Sequence, residues 1–328
     1  SIFHAIFVTA QGAVMEVKMK TKEGNRRMIQ AEPITKTTWR IRGCGCDCYL
    51  VDGEVPALID CGCGEVKIRQ FCEALIQKPV RTVICTHAHI DHTGQCGLFD
   101  QVYMTERTAA SSRNAMDEDP AKLHLEYTPV FVQDHQILKL GQRCLEILRC
   151  DCHAPGNIVI LDHTERILYA GDELDADQVL LLPGFAEKAG QFHSAPAATV
   201  SDYRRLLIQL DLRREEFDWI CTGHNGSPLK PEVLTIMIEL CDRILAGEEG
   251  CLDCSSATYS ARDRHFPYPQ AHYRRASWKG FSLVYCADSL TDRAQNSSVI
   301  PATPLHAMCE HNAAMAQAVL QKNMKSSQ

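Results

Sequence analysis

Residues Thr86 to Gly94 read T-H-A-H-I-D-H-T-G, which sets His87, His89, Asp91 and His92 within six residues. Neutral imidazoles and carboxylates are the ligands that borderline-soft divalent ions take, and a catalytic ion keeps one position open for water. Four such groups in one short run have no use in an apolar core, where each unpaired polar group costs free energy. Alternate residues of an extended segment face the same side, so His87 and His89 can converge on one ion while Asp91 and His92 turn towards another. The spacing therefore points to two metal ions. Before the motif, Val80 to Thr86 is a β-branched run of strand type; after it, Thr93-Gly94 is a breaker. The ligands are expected on a loop at a strand end, where side chains can meet.

T-H-A-H-I-D-H resembles the signature of the metallo-β-lactamase superfamily, which includes the glyoxalase II type hydrolases. Later residues stand in the order that the resemblance calls for: His153 in C-D-C-H-A-P-G, Asp172 in L-Y-A-G-D and His224 in I-C-T-G-H-N-G, each after an apolar, strand-like run. The resemblance implies a glyoxalase II-like site. His87, His89 and His153 would hold the first ion, Asp91, His92 and His224 the second, and Asp172 would bridge them. Asp60, in A-L-I-D-C-G, stands where relatives place an aspartate that supports these ligands from behind. The chain departs from many relatives just before His153, where Asp151-Cys152 replaces proline-glycine.

The resemblance also implies the αββα four-layer sandwich, where the sequence pattern by itself gives only an α/β class. It implies a hydrolase with two Zn2+ ions, in which a hydroxide held between the ions attacks an ester, thioester, lactone or amide of a small molecule, with Asp91 orienting it and moving its proton. The alternative is an oxidoreductase resembling the persulfide dioxygenases, with one Fe2+ at the first site, or a mixed Zn/Fe centre. Flavodiiron-type enzymes carry glutamate at the second histidine of the motif, where this chain has His89. An RNase Z-type nuclease is disfavoured by charge, and a non-catalytic metal-binding protein by the complete ligand set.

The elements that must position these residues are short. Tyr49 to Val51 and Ala57 to Ile59 flank Asp52-Gly53 as a hairpin that ends at Asp60. Gly64 to Gln77 has helical apolar spacing and is stopped by Pro79, and Met104 to Met116 reads as a further helix. Strands are expected over 144–149, 157–162, 166–170, 217–221 and 281–285, with helices over 200–212, 231–246 and, at the end, 302–328. Near the start, one strand is expected over 13–19 and a charged turn over 20–27. In the connection between Asp172 and His224, His193 and Tyr203 are candidates for substrate contact, since such inserts shape pockets.

Three regions follow: a strand-and-loop extension over 1–37, the catalytic domain over 38–247, and a C-terminal extension over 248–328 packing on the same domain. With 34 basic against 41 acidic residues and a net charge of -7, the chain shows no footprint for nucleic acid. No apolar run suits a membrane span, and the 17 cysteines do not form the even framework of a small secreted domain. A cytoplasmic protein acting on a small molecule is expected, as a monomer or a homo-oligomer. The cysteines cluster as Cys44-Gly-Cys46-Asp-Cys48, Cys61-Gly-Cys63, Cys150-Asp-Cys152 and Cys251-Leu-Asp-Cys254. A single C-x-x-C without a second pair is read as ordinary thiols, used as small apolar fillers, and not as a structural zinc site.

Overall fold

The structure is a computed structural model that describes residues 26–113, 122–181, 198–248, 273–287 and 290–291, and the strands 6–8, 15–20, 183–185, 192–196 and 252–253. All lie in the compact unit of residues 1–292. The acidic turn at 117–120, the helix expected over 302–328, and Cys251 and Cys254 lie outside the described residues.

The first sheet has nine strands in chain order: β1 (Ile6–Val8), β2 (Met15–Lys20), β3 (Arg26–Pro33), β4 (Thr38–Arg42), β5 (Cys48–Val51), β6 (Ala57–Ile59), β7 (Thr82–Ile84), β8 (Gln101–Met104) and β9 (Pro129–Phe131). It runs antiparallel as far as β6 and parallel from there to β9. The parallel step from β6 to β7 requires a crossover, supplied by helix α1 (Ile68–Ile76). The second sheet runs β10 (Ile137–Leu140), β11 (Arg143–Arg149), β12 (Ile158–Asp162) and β13 (Ile167–Gly171), then a parallel β17 (Trp219–Thr222). Between the last two come β14 (Val179–Leu180), β15 (Pro183–Phe185), β16 (Phe192–Pro196) and helix α4 (Val200–Asp211); helix α5 (Glu232–Leu245) follows β17.

Alternation along the strands builds the layers. In β12, Ile158 and Ile160 join Tyr49, Val51 and Ile59 of the first sheet in one core, while Val159 and Leu161 face Tyr203, Leu207 and Leu234 of α4 and α5 in another. In β5, Leu50 points the other way, to Ile68, Phe71 and Cys72 of α1. Central strands such as β5 and β12 are thus apolar on both faces, as sheets covered on both sides require. The result is two sheets face to face between helices, the αββα sandwich. Each fully buried large side chain contributes roughly 1.5–3 kcal/mol.

Some elements differ from the sequence reading. The helix expected over 104–116 is divided: β8 runs to Met104, and helix α3 is only Glu106–Ser111. Thr105 makes the break by turning its hydroxyl to accept from Thr108 N–H, an N-cap that stops the strand and starts the helix. The charged stretch expected as a turn over 20–27 already holds the end of β2 and the start of β3. The motif is not wholly a loop, since Ile90–Thr93 forms one helical turn, α2, which carries Asp91 and His92. The fourteen described cysteines are free thiols, and most are buried. Seven of them line the core beneath the first sheet.

Candidate metal centre

Every candidate ligand leaves the end of a strand or the turn beyond it. Asp60 follows β6, the run His87 to His92 follows β7, His153 lies between β11 and β12, Asp172 follows β13 and His224 follows β17. Because the two sheets face each other, these ends gather at one edge of the sandwich. Two groups of donor atoms result, His87, His89, His153 and Asp172 in one, and Asp91, His92 and His224 in the other, each within 4.8 Å.

The first group is tight. His87 Nε2 lies 2.9 Å from His89 Nδ1, and His153 Nε2 lies 3.1 Å from the same atom. Asp172 Oδ2 is 3.5 Å from His153 Nε2 and 3.9 Å from His87 Nε2. In the second group, Asp91 Oδ2 is 3.4 Å from His224 Nε2, and the Nε2 atoms of His92 and His224 are 3.4 Å apart. Asp172 reaches this group with both oxygens, Oδ1 at 3.2 Å from His92 Nε2 and Oδ2 at 3.3 Å from His224 Nε2.

The far side of each ring is held by the protein. Asp60 takes a left-handed backbone angle, φ 56°, directly after β6. This turns its carboxylate back towards the motif, where Oδ1 accepts from Thr86 N–H at 2.7 Å and Oδ2 accepts from Thr86 Oγ1 and His92 Nδ1, both at 2.8 Å. Thr86 Oγ1 is in turn 3.0 Å from His87 Nδ1. His153 Nδ1 donates to the Leu180 carbonyl at 2.9 Å. With Nδ1 occupied, His87, His92 and His153 each present Nε2 to the centre.

The turn before His153, where the chain departs from many relatives, is built by carboxylates. Asp151 adopts φ 58° and accepts from Gly156 N–H at 2.5 Å; aspartate tolerates this conformation because it can bond locally. Glu173 Oε1 accepts the N–H groups of Cys152 and His153 and the amide of Asn157, at 3.0, 3.1 and 2.8 Å. Nothing in the sequence marked Glu173 beyond its place next to Asp172. Burial lifts its carboxyl to about 7 against those three hydrogen bonds.

Electrostatics suit cations. Burial, reinforced by neighbouring imidazoles, lowers His87 far below its ordinary value; burial also brings His89 to about 4 and lowers His153. All three are therefore neutral at pH 7, the form that binds metal. Burial opposes ionisation of Asp172, but His92 and His224 outweigh it and hold the carboxylate well below the usual range. Correspondingly, burial is overcome at both His92, which is raised by Cys46, Asp172, Asp60 and Asp91, and His224, which is raised by Asp172 and Asp91.

The donor set fits metal ions. Four ligands about 2.0–2.1 Å from a zinc ion lie roughly 3.3 Å apart, close to the spacings in both groups. Asp172 Oδ1, at the junction of the two groups, is buried and makes no well-formed hydrogen bond, its nearest positive partner being His92 Nε2 at 3.2 Å.

Not every expected contact takes part. Tyr203, read as a substrate contact, is fully buried within α4, and its hydroxyl donates to the Glu173 carbonyl at 2.6 Å. It is a core residue, because Val200, Tyr203, Leu206, Leu207 and Leu210 form the inward face of that helix. His193 falls on β16, whose side chains lie outside the described residues. A third group, Glu146, His163 and Glu216, also has ligand-type atoms within 4.8 Å. There, Arg213 spans both carboxylates, with Nη2 2.7 Å from Glu146 Oε2 and 2.7 Å from Glu216 Oε2, so a protein cation already fills the position.

Comparison with known proteins supplies a family and a fold. The sequence model of the metallo-beta-lactamase superfamily matches residues 41–224. No curated protein matches the chain. Among solved structures, the chain is similar to a metallo-beta-lactamase family protein from Thermus thermophilus (TM-score 0.48, 19% identity, covering 72% of this chain and 91% of that one). It is also similar to the stereoselective inverting sec-alkylsulfatase Pisa1 from Pseudomonas sp. (TM-score 0.52, 15% identity, 66% of this chain and 42% of that one). A metallo-beta-lactamase from Pontibacter korlensis aligns at TM-score 0.46 and 17% identity, over 72% of this chain and 98% of that one. At 15% identity and a TM-score of 0.52, the likeness to Pisa1 concerns the fold alone.

Proposed function

The chain belongs to the metallo-β-lactamase superfamily, whose sequence model spans more than half of it, and from that premise we propose a hydrolase that uses two divalent ions, zinc in the resting enzyme, to cleave an ester, thioester, lactone or amide bond of a small molecule. The observation that carries this reading is Asp172, which stands between the two ligand groups with one oxygen 3.2 Å from His92 and the other 3.3–3.9 Å from His224, His153 and His87. A carboxylate so placed would hold two cations together against their mutual repulsion.

His87, His89, His153 and Asp172 would hold one ion, and Asp91, His92, His224 and Asp172 the other. Bound there, such a pair activates water near neutral pH and offsets negative charge developing on an acyl oxygen. The chain's own residues supply the rest. Asp60 fixes the tautomer of His92, and through Thr86 that of His87, so the donor atoms need no reorganisation during turnover. Asp91 and His224 are each about one-third exposed at the side chain, while His87 and His92 are wholly buried. Solvent and substrate therefore reach the centre from the Asp91 side. There the Asp91 carboxylate can orient the attacking water and take its proton. No serine or cysteine nucleophile is needed.

The test joins metal analysis of protein purified without added metal to assays on ester, thioester, lactone and amide substrates. About two zinc ions per chain, with hydrolysis abolished by chelation and restored by Zn2+, is the expected result. One iron per chain with oxygen consumption would overturn it in favour of oxygen chemistry.

A further inference from the structure

We infer that Arg40 and Asp47 are positioning residues for the second ligand group, acting through the turn that carries His224; the inference rests on the two-ion reading above. His224 lies on the turn Thr222 to Ser227 that follows β17, far in sequence from the motif. This turn is fastened to the loop between β4 and β5. Asp47 N–H donates to the Gly223 carbonyl at 2.6 Å. Arg40 Nε and Nη2 donate to Asp47 Oδ2 at 2.8 and 2.5 Å, while its Nη1 reaches across to donate to the Ser227 carbonyl at 2.6 Å. One guanidinium fork thus fixes Asp47 and the far end of the His224 turn together. Tyr49, two residues beyond Asp47, adds a hydroxyl that donates to the Thr222 carbonyl at 2.6 Å and lies 2.6 Å from Ser227 Oγ.

The same loop seats against another ligand. Gly45 has φ +100°, and a Cβ there would lie 3.2 Å from Asp91 Cβ and 3.0 Å from Cys63 Sγ, so the backbone passes directly behind Asp91. Residues 43–47 therefore touch Asp91 and, through Gly223, the turn that carries His224. The first group is anchored otherwise, through Thr86, Glu173 and the Leu180 carbonyl.

Arg40 and Asp47 are 8% and 5% exposed. A buried ion pair is a poor source of net stability, since desolvation offsets the Coulomb attraction, and its best-attested use is to fix register. Here the register in question is that of two loops which meet only in the folded chain. Arginine is suited to the task because its planar fork serves two acceptors at once, which a lysine ammonium on a flexible stem does not reproduce.

The experiment compares Zn2+ titration by calorimetry, and the absorption spectrum of the Co2+-substituted protein, for the full chain and three variants. Arg40→Lys keeps the charge and loses the fork. Arg40→Met with Asp47→Leu removes both charges, which preserves folding where a single change would strand a buried ion. Tyr49→Phe keeps the ring and removes the hydroxyl. In the full chain two ions should bind. In Arg40→Lys and in the double variant, checked as folded by circular dichroism, the first ion should bind as before and the second about tenfold or more weakly, the usual cost of losing a group that orients a ligand. The Co2+ spectrum should keep the bands of the first ion and lose those of the second. Tyr49→Phe should weaken the second ion in the same sense and by less. Unchanged binding of both ions in the folded variants would overturn the inference, as would equal weakening of both. A full chain that takes up fewer than two ions would instead overturn the two-ion reading itself.

Discussion

The centre at the strand ends and the Glu146 cluster on the second sheet draw on the same residue types, histidine and carboxylate within 4.8 Å, yet they are balanced in opposite ways. At the centre the carboxylate Asp172 is partnered by the imidazoles of His92, fully buried, and His224, about one-third exposed. In the Glu146 cluster, Glu146 receives His135 at 3.0 Å, His163 at 2.8 Å and both ends of Arg213, which also grips Glu216. At the centre the only positive partners of the carboxylate are imidazoles, which give up their protons when they bind metal, whereas the other cluster carries a permanent guanidinium cation. Ligand type and proximity do not make a metal site; the position must also be one that no permanent protein cation already fills.

The sharpest way to break this comparison is to remove the shared carboxylate. Asp172→Ala should lower metal content at both groups and abolish hydrolysis, because the two cations would then face each other without the anion between them. Elemental analysis with a turnover assay decides it, and retention of both ions with near-normal activity would remove Asp172 from that role. The next effect in size concerns Asp91. Asp91→Asn keeps the shape and loses the charge, so kcat should fall by about 10²–10⁴-fold, the range of general acid-base contributions, in protein still loaded with metal. An unchanged kcat in the loaded variant would leave Asp91 with a structural role only.

Much of the centre was legible in the sequence because its ligands sit in local, strand-terminated runs. H-A-H-I-D-H needs only the β7 end to present it, whereas Asp60, His153, Asp172 and His224, each after an apolar strand, are picked out by the resemblance to the metallo-β-lactamase superfamily. What the sequence did not show are the long-range anchors. Glu173 is a buried glutamate whose value depends on three donors from a turn some twenty residues away, and Arg40 acts on a residue 187 positions along the chain. Tyr203 was misread for the same reason, since an aromatic residue in a helix has no sequence mark that tells a pocket wall from a core face. The short edge strands β9 and β10 escaped too: Val130, Phe131 and Ile137 are exposed, so their apolar pattern does not track burial.

Glu173 offers a smaller, more selective change. Glu173→Ala frees the backbone of Cys152 and His153 and should weaken the first ion by roughly 10–100-fold while sparing the second. Glu173→Gln retains an oxygen for the same three donors and should recover most of that affinity. Equal loss in both variants, read by competition with a metallochromic chelator, would mean that charge and not positioning is what Glu173 contributes.

The smallest effect on function is expected at the other cluster, and it concerns stability alone. Hydrogen bonds from His163, Arg213 and His135 overcome burial and hold Glu146 well below its ordinary 4.5. A carboxylate whose folded pKa is depressed contributes stability that is fully present above its unfolded value and is lost as pH falls through the folded one. Glu146→Gln should therefore cost roughly 1–3 kcal/mol at pH 7, where charged hydrogen bonds are lost but Arg213 keeps Glu216. The gap between variant and parent should narrow as the pH drops below about 4.5, where the unfolded parent's carboxylate takes up its proton while the folded one stays ionised. Urea unfolding at a series of pH values measures that gap directly. Zinc content and turnover should be unaltered throughout, because Arg213 and not a metal ion is the cation that Glu146 serves; a fall in bound zinc in the folded variant would erase the distinction between the two clusters.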